Sequence, residues 1–404
     1  MLPALEMAGW VMSGLSLLVL VPVLLLLLQV LAALLPRAES RSTLASSADP
    51  RARVAVLMPA HDEATGILEP LRSVLPQLQA RDRVLVVADN CSDDTASVAA
   101  AAGAEVVQRQ DSVRRGKGYA LDFGVRHLQA DPPDVVVIVD ADCIVAPGSL
   151  DLLVRHCHRT GRATQALYRM HAPPRSGLKI RMAEFAWIVK NHVRPLGYAR
   201  LGLPCQLMGT GMAFPWEQLR SAPLASGHIV EDMQLGLDLA TAGHAPQFLV
   251  DAGVSSSFPS NAEGLQAQRT RWEHGHLRVI AAAGPRLLAR AIATWQPSLA
   301  ALVLDLCVPP LASLVLGLSG WWVATAAFWF VGGAVWPLVL SSSALSLLGV
   351  AVLAAWAGFG RSAVSLWELS TAPLYVLRKI PMYLKLLRKR QVEWVRTKRD
   401  DGRA

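Results

Sequence analysis

Apolar residues along this chain fall into three regimes. Residues 9–35 form one run without a charge. From about 53 to 272, short apolar runs alternate with stretches of helical spacing. Beyond 298 long apolar runs return, at about 298–318, 321–340 and 345–359. A helix over the 27 residues 9–35 would measure about 40 Å, enough to cross a hydrocarbon core of about 30 Å with tilt. A cleaved signal peptide fits less well, because no Lys or Arg precedes the run and it is too long for an h-region.

The middle regime predicts alternating strands and helices. The run 54–58 reads as a strand closed by Pro59, and Leu68, Leu71, Leu75 and Leu78 follow at helical spacing. A second strand over 84–89 ends on Asp89. An Ala-rich helix over 94–102, a brief strand over 105–107 and a helix over 119–128 come next, the last burying Leu121, Val125 and Leu128. Val135-Val136-Val137-Ile138-Val139 reads as a strand buried on both faces, and it stops on Asp140-Ala141-Asp142. The pattern then predicts a helix over 149–158, a strand over 164–168 and a helix over 177–193 with mixed apolar and basic faces. The expected fold class is α/β, a Rossmann-like, mostly parallel sheet covered by helices, with N- and C-terminal transmembrane helices.

Composition agrees with membrane segments. Of 404 residues, 52% are apolar and only 17% charged, and the mean hydropathy is +0.34. The length suits about two domains. The net charge is +8, and residues 378–403 alone hold ten Lys or Arg against three acids. Beside apolar segments, such a tail points to anionic lipid on the cytoplasmic side rather than to nucleic acid. Arg37, Arg41, Arg51 and Arg53 follow the first apolar run while only Glu6 precedes it, which puts the middle regime in the cytoplasm. Cys91, Cys143, Cys157, Cys205 and Cys307 form no CxxC pair and are expected as free thiols in a reducing compartment. His156-Cys157-His158 cannot converge on a metal from one helix and reads as a surface patch.

The candidate chemistry lies at strand ends, where open α/β sheets bind ligands. Asp140 and Asp142, with no Lys or Arg from 135 to 149, offer a hard oxygen site for Mg²⁺ or Mn²⁺ bridging to phosphates. The plain alternative is a strand ending in a turn, where Asp is common. Asp89 ends another strand at the same edge, or caps the next helix, as Ser92 and Asp93 also could. Lys117, in Arg114-Arg115-Gly116-Lys117-Gly118, precedes a helix and suits a phosphate. Gly209-Thr210-Gly211-Met212-Ala213-Phe214 would let a substrate approach the backbone, or is a tight turn. Glu231-Asp232 heads an apolar helix, where the dipole favours acids and where Asp232 can face the cleft. Gln268, Arg271 and Trp272 share one helix face, and together they can bind a phosphate and stack on a sugar.

Taken together these motifs resemble the family-2 glycosyltransferases over about residues 53–272. Those are membrane-bound enzymes with a cytosolic GT-A domain, related to cellulose synthase and other polysaccharide synthases. The resemblance implies that Pro59, His61 and Glu63 belong to the nucleotide-contacting loop and that Asp89 reads uracil. It makes Lys117 the diphosphate-binding lysine. Asp140 and Asp142 become the Asp-x-Asp pair, with Asp142 the direct metal ligand. Asp232 is then the catalytic base beside Glu231, and Gln268, Arg271 and Trp272 form the Gln-x-x-Arg-Trp motif. Mg²⁺ or Mn²⁺ is the implied cofactor.

The implied reaction is inverting transfer of a sugar from a nucleotide sugar, UDP-linked, to a hydroxyl in cell-surface or exopolysaccharide biosynthesis. The alternative is a non-processive transferase acting on a polyprenyl-phosphate-linked or ceramide-like lipid; a scaffold without activity is disfavoured by the intact acids. Expected partners are the donor, a lipid-linked or polysaccharide acceptor, the membrane and polysaccharide-assembly proteins, with no nucleic acid. Departures from the family pattern are the missing Thr before Glu231-Asp232, Leu207-Met208-Gly209-Thr210-Gly211 in place of a Phe-rich Cys-Gly-Ser loop, and Asp62 where many relatives carry Asn.

The expected organisation is an anchor over 1–36, a linker over 37–52, the GT-A domain over 53–283, interfacial and transmembrane helices over 284–387 and a basic tail over 388–404. Within the C-terminal runs, Asp305 needs a partner or a cavity, and Pro309-Pro310 should break the helix. Two or four C-terminal crossings would keep the tail inside, and three would not. Residues 367–387 could cross or lie on the surface. The expected location is a bacterial-type inner membrane, multi-pass, with the catalytic domain cytoplasmic.

Overall fold

The computed structural model describes residues 2–36, 51–227, 230–259 and 262–372, and for 2–4, 262–271 and 274 the backbone alone. The expected linker at 39–49, the basic tail and all but the start of 367–387 lie outside the described residues. In chain order the elements are α1 (Leu2–Leu34), β1 (Val54–Ala60), α2 (Leu68–Val74), β2 (Arg83–Asp89), α3 (Thr95–Ala101), β3 (Glu105–Arg109), α4 (Lys117–Leu128), β4 (Val135–Ile138), β5 (Ile144–Val145) and α5 (Ser149–Thr160). They continue with β6 (Thr164–His171), α6 (Leu178–Ile188), α7 (Arg194–Arg200), β7 (Met212–Pro215), α8 (Trp216–Arg220), α9 (Glu231–Thr241) and β8 (Gln247–Ser257). The last are α10 (Ala262–Ala293), α11 (Pro297–Leu306), α12 (Leu311–Phe330), α13 (Trp336–Ala355) and α14 (Leu366–Ser370).

Two compact units share the chain. One gathers Met1–Pro36, Arg175–Leu201 and the chain from Val303, and the other holds Arg37–Pro174 and Gly202–Leu302. The stretch Arg175–Leu201, read from the sequence as part of a domain over 53–283, thus groups with the terminal helices.

The second unit is a mixed sheet in the order β3-β2-β1-β4-β7-β6-β8-β5. β3, β2, β1 and β4 run parallel. β7 enters antiparallel between β4 and β6, which pairs in parallel with β8. Apart from Pro59, β1 and β4 consist of Val, Ala, Leu, Met and Ile because both faces are covered; Val54 through Met58 and Val135 through Ile138 are at most 1% exposed. Each such side chain contributes about 1.5–3 kcal/mol by leaving water. α4 lies on β1, β2 and β3 through Gly124, where a Cβ would come 2.4 Å from Leu57 Cδ1.

Pro59 does not close β1, which runs on to Ala60. The reason is directional. Val139 N–H donates to Leu57 C=O at 3.1 Å, so alternate residues 57 and 59 face the β4 side. β4 ends at Ile138, opposite Leu57. Pro59 lacks an N–H where no strand remains to receive it, and it still keeps its place opposite Val87 of β2.

In the first unit three helices are long and apolar enough to cross a membrane: Leu5–Leu34, Leu311–Phe330 and Trp336–Gly360. The expected run 298–318 is cut at Pro309-Pro310 into α11 and α12. The expected run 321–340 is broken after Phe330, where Gly332 takes φ +88°. Two C-terminal spans are therefore described, not three. α13 runs parallel to α1 and α12 against it: a Cβ on Gly9 would lie 3.1 Å from Ala334, and one on Gly358 2.5 Å from Leu34. Asp305 has its partners. It accepts from Arg194 Nη2 at 2.8 Å and from Gln29 Nε2 at 2.6 Å, and all three residues are buried.

Candidate active site

The carboxyl ends of β1, β2 and β4 form one edge of the sheet. Loops after β1 and β2 are knitted together there. His61 Nδ1 lies 2.7 Å from Asp89 C=O, and Asp62 Oδ1 accepts from Ser92 N–H at 2.6 Å and Ser92 Oγ at 3.1 Å. Glu63 N–H donates to Thr95 Oγ1 at 2.8 Å. Asp62 has φ +51°, a region that favours Asn and Asp alike, so Asp in place of Asn keeps this backbone.

Asp89 is buried at the end of β2. Its Oδ1 accepts from Arg109 Nη1 at 2.6 Å and Asn90 Nδ2 at 3.1 Å. Arg109 stands directly opposite Asp89 in the β2–β3 register. It also donates through Nη2 to Arg114 C=O at 2.7 Å and sits 5.7 Å from the Tyr119 ring centroid. Arg109 thereby ties Asp89 to the loop that delivers Lys117. No motif in the sequence marks it; the one signal is an Arg closing the strand next to an acid-terminated one.

Lys117 opens α4 after Gly116, at φ +126°. Its Nζ lies 2.5 Å from Asp140 Oδ1 and 3.9 Å from Glu231 Oε1, and donates to Gly209 C=O at 2.7 Å. Burial pulls the Lys117 pKa down, but Asp140 and Glu231 outweigh it, and the ammonium is held charged. Asp140 is pushed up by burial and by Asp142 and Asp232, against the pull of Lys117. Glu231 is pushed up to about 7 by burial, with Lys117 opposing and Asp232 adding to the rise.

Asp140, Asp142 and Cys143 each bring a ligand atom within 4.8 Å of the others. Burial holds the Cys143 thiol well above its usual range, and it donates to Asp142 Oδ1 at 3.4 Å. What remains for a cation is two carboxylates side by side, with Asp142 adding to the rise of Asp140. Hard oxygen donors of this kind fit Mg²⁺ or Mn²⁺ and not a thiophilic ion.

Asp232 completes the group from the first turn of α9. A Cβ on Gly209, at φ +91°, would lie 3.4 Å from Asp232 Oδ2 and 3.6 Å from Lys117 Nζ. Gly209 is thus the bare wall between Asp232 and Lys117. Buried Gln165 fixes this wall, accepting from Met208 N–H at 2.8 Å and donating to Thr210 C=O at 2.9 Å. Thr210 Oγ1 in turn accepts from Asp140 N–H at 3.1 Å. Beyond Asp232 opens a cavity of about 390 Å³ between α4, α9 and residues 223–226.

Of the sequence-derived residues, Lys117, Asp140, Asp142, Glu231 and Asp232 come together in one cluster. Asp89 with Pro59, His61 and Glu63 lies along the same edge, with β1 between β2 and β4 and hence roughly 10 Å from Asp140. Trp272 is half-buried on α10; the side chains of Gln268 and Arg271 are outside the described residues.

The fold is that of a mannosyltransferase from Pyrobaculum calidifontis, solved with GDP-Man and Mn²⁺. It aligns with a TM-score of 0.54 at 18% identity over 86% of this chain and 98% of that one. An uncharacterized glycosyltransferase of Mycobacterium tuberculosis is 42% identical over 101 residues, 25% of this chain and 42% of that protein. A glucosyl-3-phosphoglycerate synthase of Mycolicibacterium paratuberculosis is 38% identical over 97 residues, 22% of this chain and 29% of that protein. The matched stretches thus span less than half the length of these relatives. The family model described as "Glycosyltransferase like family 2" matches residues 50–275, more than half of the chain, and the chain therefore belongs to family 2 of the glycosyltransferases.

Proposed function

We propose that this chain transfers a sugar from a nucleotide sugar, UDP-linked, to a hydroxyl acceptor with inversion at the anomeric carbon, in the building of a cell-surface glycan or exopolysaccharide. One observation carries the reading: among the described residues, Lys117 is the cation that Asp140, Glu231 and Asp232 face together, with Asp142 beside them at the sheet's carboxyl edge. Asp140 and Asp142 would hold Mg²⁺ or Mn²⁺, which supplies charge stabilisation for a departing diphosphate. The Mn²⁺ in the mannosyltransferase of the same fold supports that assignment.

Lys117, held protonated, meets the diphosphate oxygens as a fixed charge. Asp232 takes the proton from the acceptor hydroxyl as that oxygen attacks the anomeric carbon, through an oxocarbenium-like transition state. Glu231, with a pKa of about 7, can donate or accept a hydrogen bond beside it. The described hydrogen bonds of the Asp89 carboxylate fall on Oδ1, so Oδ2 is the oxygen for the uracil N–H. Pro59, His61 and Glu63 line the nucleotide side. Gln268, Arg271 and Trp272 are assigned to the leaving diphosphate and the acceptor sugar.

The three spans leave the C-terminal ends of α1 and α13 together. The sequence after each is basic, which supports a multi-pass protein of a bacterial-type inner membrane with its catalytic unit and tail cytoplasmic. Polysaccharide-assembly proteins are the expected company.

A second reading, one sugar placed on a membrane lipid, is favoured by a particular observation. Among the described residues, polar groups of the spans bond to one another or to the helices beside them: Trp321 with Ser16, Thr325 with Ser341, and Gln29 with Asp305, which Arg194 also holds. Groups that bond to one another in this way are not offered to a passing polymer. Membranes holding the protein should consume labelled UDP-sugar, and product length decides between polymer and single-sugar lipid. Absence of nucleotide-sugar binding would sink both readings. Undiminished transfer in excess EDTA would remove the metal.

A further inference from the structure

We infer that Arg109 is the positioning residue that sets which nucleobase the donor carries. By filling one oxygen of the Asp89 carboxylate it leaves a single acceptor, which suits the lone N–H of a uracil imide and excludes the adjacent donors of guanine. The inference rests on the nucleotide-sugar reading above and adds the source of its base selectivity. The fold does not make that choice, since the mannosyltransferase that shares it was solved with GDP-Man.

Asp89 ends β2 with 7% of its surface still exposed, so a ligand atom can reach it. An ionised carboxylate offers about four lone-pair sites, two on each oxygen. On Oδ1 both are taken, by Arg109 Nη1 at 2.6 Å and by Asn90 Nδ2 at 3.1 Å. Among the described residues nothing bonds Oδ2. Both donors are themselves held in place. Asn90 stands at φ +53°, and its Oδ1 accepts from Asp111 N–H at 2.8 Å. Arg109 lies opposite Asp89 in the β2–β3 register, and its Nη2 donates to Arg114 C=O at 2.7 Å and to Asp111 Oδ2 at 3.2 Å. Asp111 Oδ1 accepts in turn from Val113 N–H at 3.0 Å and Arg114 N–H at 2.8 Å, so the turn that Arg109 grips is closed on itself.

These bonds decide what can pair with the carboxylate. Uracil presents one N–H between two carbonyls, and a single oxygen satisfies it. Guanine presents N1–H and N2–H side by side, and a carboxylate meets both only by using both oxygens. With Oδ1 full, one guanine donor stays unpaired, a loss of about five- to a hundredfold in binding. The guanidinium adds a second bias. A uracil carbonyl beside Oδ1 would otherwise meet a bare negative oxygen, and the charged donor of Arg109 offsets that repulsion. The same side chain extends toward the phosphate end. It stands 5.7 Å from the ring centroid of Tyr119 on α4, the helix that Lys117 opens, and it holds the turn that leads there. Base and diphosphate are therefore met by one connected piece of structure.

The test measures the Kd of UDP and of GDP by calorimetry on the full chain in detergent with Mg²⁺, for the wild type and three variants. The wild type should bind UDP at least about tenfold tighter than GDP. Arg109→Met frees Oδ1 for a second donor. UDP should then weaken about tenfold while GDP does not, which brings the two within about twofold of each other. Asn90→Gly accepts φ +53° and removes only the longer bond on Oδ1. It should narrow the preference about threefold, and it carries the test if Arg109→Met fails to fold. Arg109→Lys returns a cation to Oδ1 without the grip on Arg114 C=O, so it should recover most of the UDP preference while both nucleotides bind more weakly than in the wild type. A merely structural role would weaken both nucleotides alike in Arg109→Met, and that result overturns the inference. So does a wild type that binds GDP as tightly as UDP, or a preference unchanged in both Arg109→Met and Asn90→Gly. Those outcomes leave nucleotide binding standing; a wild type that binds neither nucleotide removes the nucleotide-sugar reading and this inference with it.

Discussion

Each unit of this chain holds a cation–carboxylate pair, the half-buried Lys117–Asp140 at 2.5 Å and the buried Arg194–Asp305 at 2.8 Å. The distances are alike and the surroundings are opposite. Around Arg194 the charges balance one to one. Asp305 accepts also from the neutral Gln29, and the guanidinium reaches the carbonyls of Asp305 and Val308. Among the described residues around Lys117, Glu231, Asp232 and Asp142 join Asp140, and burial together with neighbouring carboxyls drives up the proton affinity of Asp140 and of Glu231. A balanced pair joins helices and needs nothing more. Surplus negative charge under burial destabilises the fold unless something else arrives to use it, here a divalent ion and a hydroxyl proton.

The contrast breaks hardest at Asp232. Asp232→Asn should lower transfer about 10³-fold while donor Kd, read by calorimetry, stays within about twofold. Near wild-type turnover in that variant would remove Asp232 from the role of base. The mirror experiment is Arg194→Ala, which strands a buried carboxylate and should cost about 3–5 kcal/mol of stability. It is read as loss of resistance to thermal inactivation, with kcat of the surviving protein preserved. Arg194→Met with Asp305→Leu should recover most of that loss. If Arg194→Ala instead reduced kcat as Asp232→Asn does, the division into a structural and a functional pair would fall.

Much of this was legible in the sequence. The apolar runs of β1, β2 and β4, with acids punctuating two of them, predicted both the strands and the edge where Asp89 and Asp140 stand. Asp305 was recognisable as needing a partner. What stayed hidden was non-local. Arg109 acquires its role only through the register that sets it opposite Asp89. Gln165 acts by reaching a loop far along the chain, and no local pattern marks it. The antiparallel entry of β7, which makes the sheet mixed, lies in the Gly-rich stretch 209–214 that read as a place for substrate to approach or a tight turn. The break after Phe330 leaves no trace in hydropathy, because Gly332 and Gly333 turn the chain without adding charge. Arg175–Leu201 carried helical spacing but no sign of its company with the membrane helices.

A smaller effect sharpens the comparison at Gly209. Ala there must adopt φ +91° and bring its methyl to 3.4 Å from Asp232 Oδ2. The backbone strain alone is about 1–2 kcal/mol. Gly161, at φ +61° with nothing within 4 Å, is the control. Both Gly→Ala variants should lose similar stability, but only Gly209→Ala should also lose kcat, by about tenfold. Equal kcat in the two would mean that the space between Lys117 and Asp232 is not used.

The smallest effect is a pH slope, and its sign follows from the surplus charge. Glu231 holds its proton in the folded chain up to about pH 7, whereas an unfolded glutamate releases it near ~4.3. Between those limits the folded state binds more protons than the unfolded one, so unfolding free energy falls as pH rises. Asp140 is raised as well and acts in the same direction. Chemical denaturation from pH 5 to pH 8 should show this decline, and Glu231→Gln should flatten it. Mg²⁺ or Mn²⁺ competes with the proton for Asp140, so either ion should stabilise the protein more at pH 8 than at pH 5. A slope that survives Glu231→Gln unchanged and ignores the metal would therefore place the titrating groups outside this cluster.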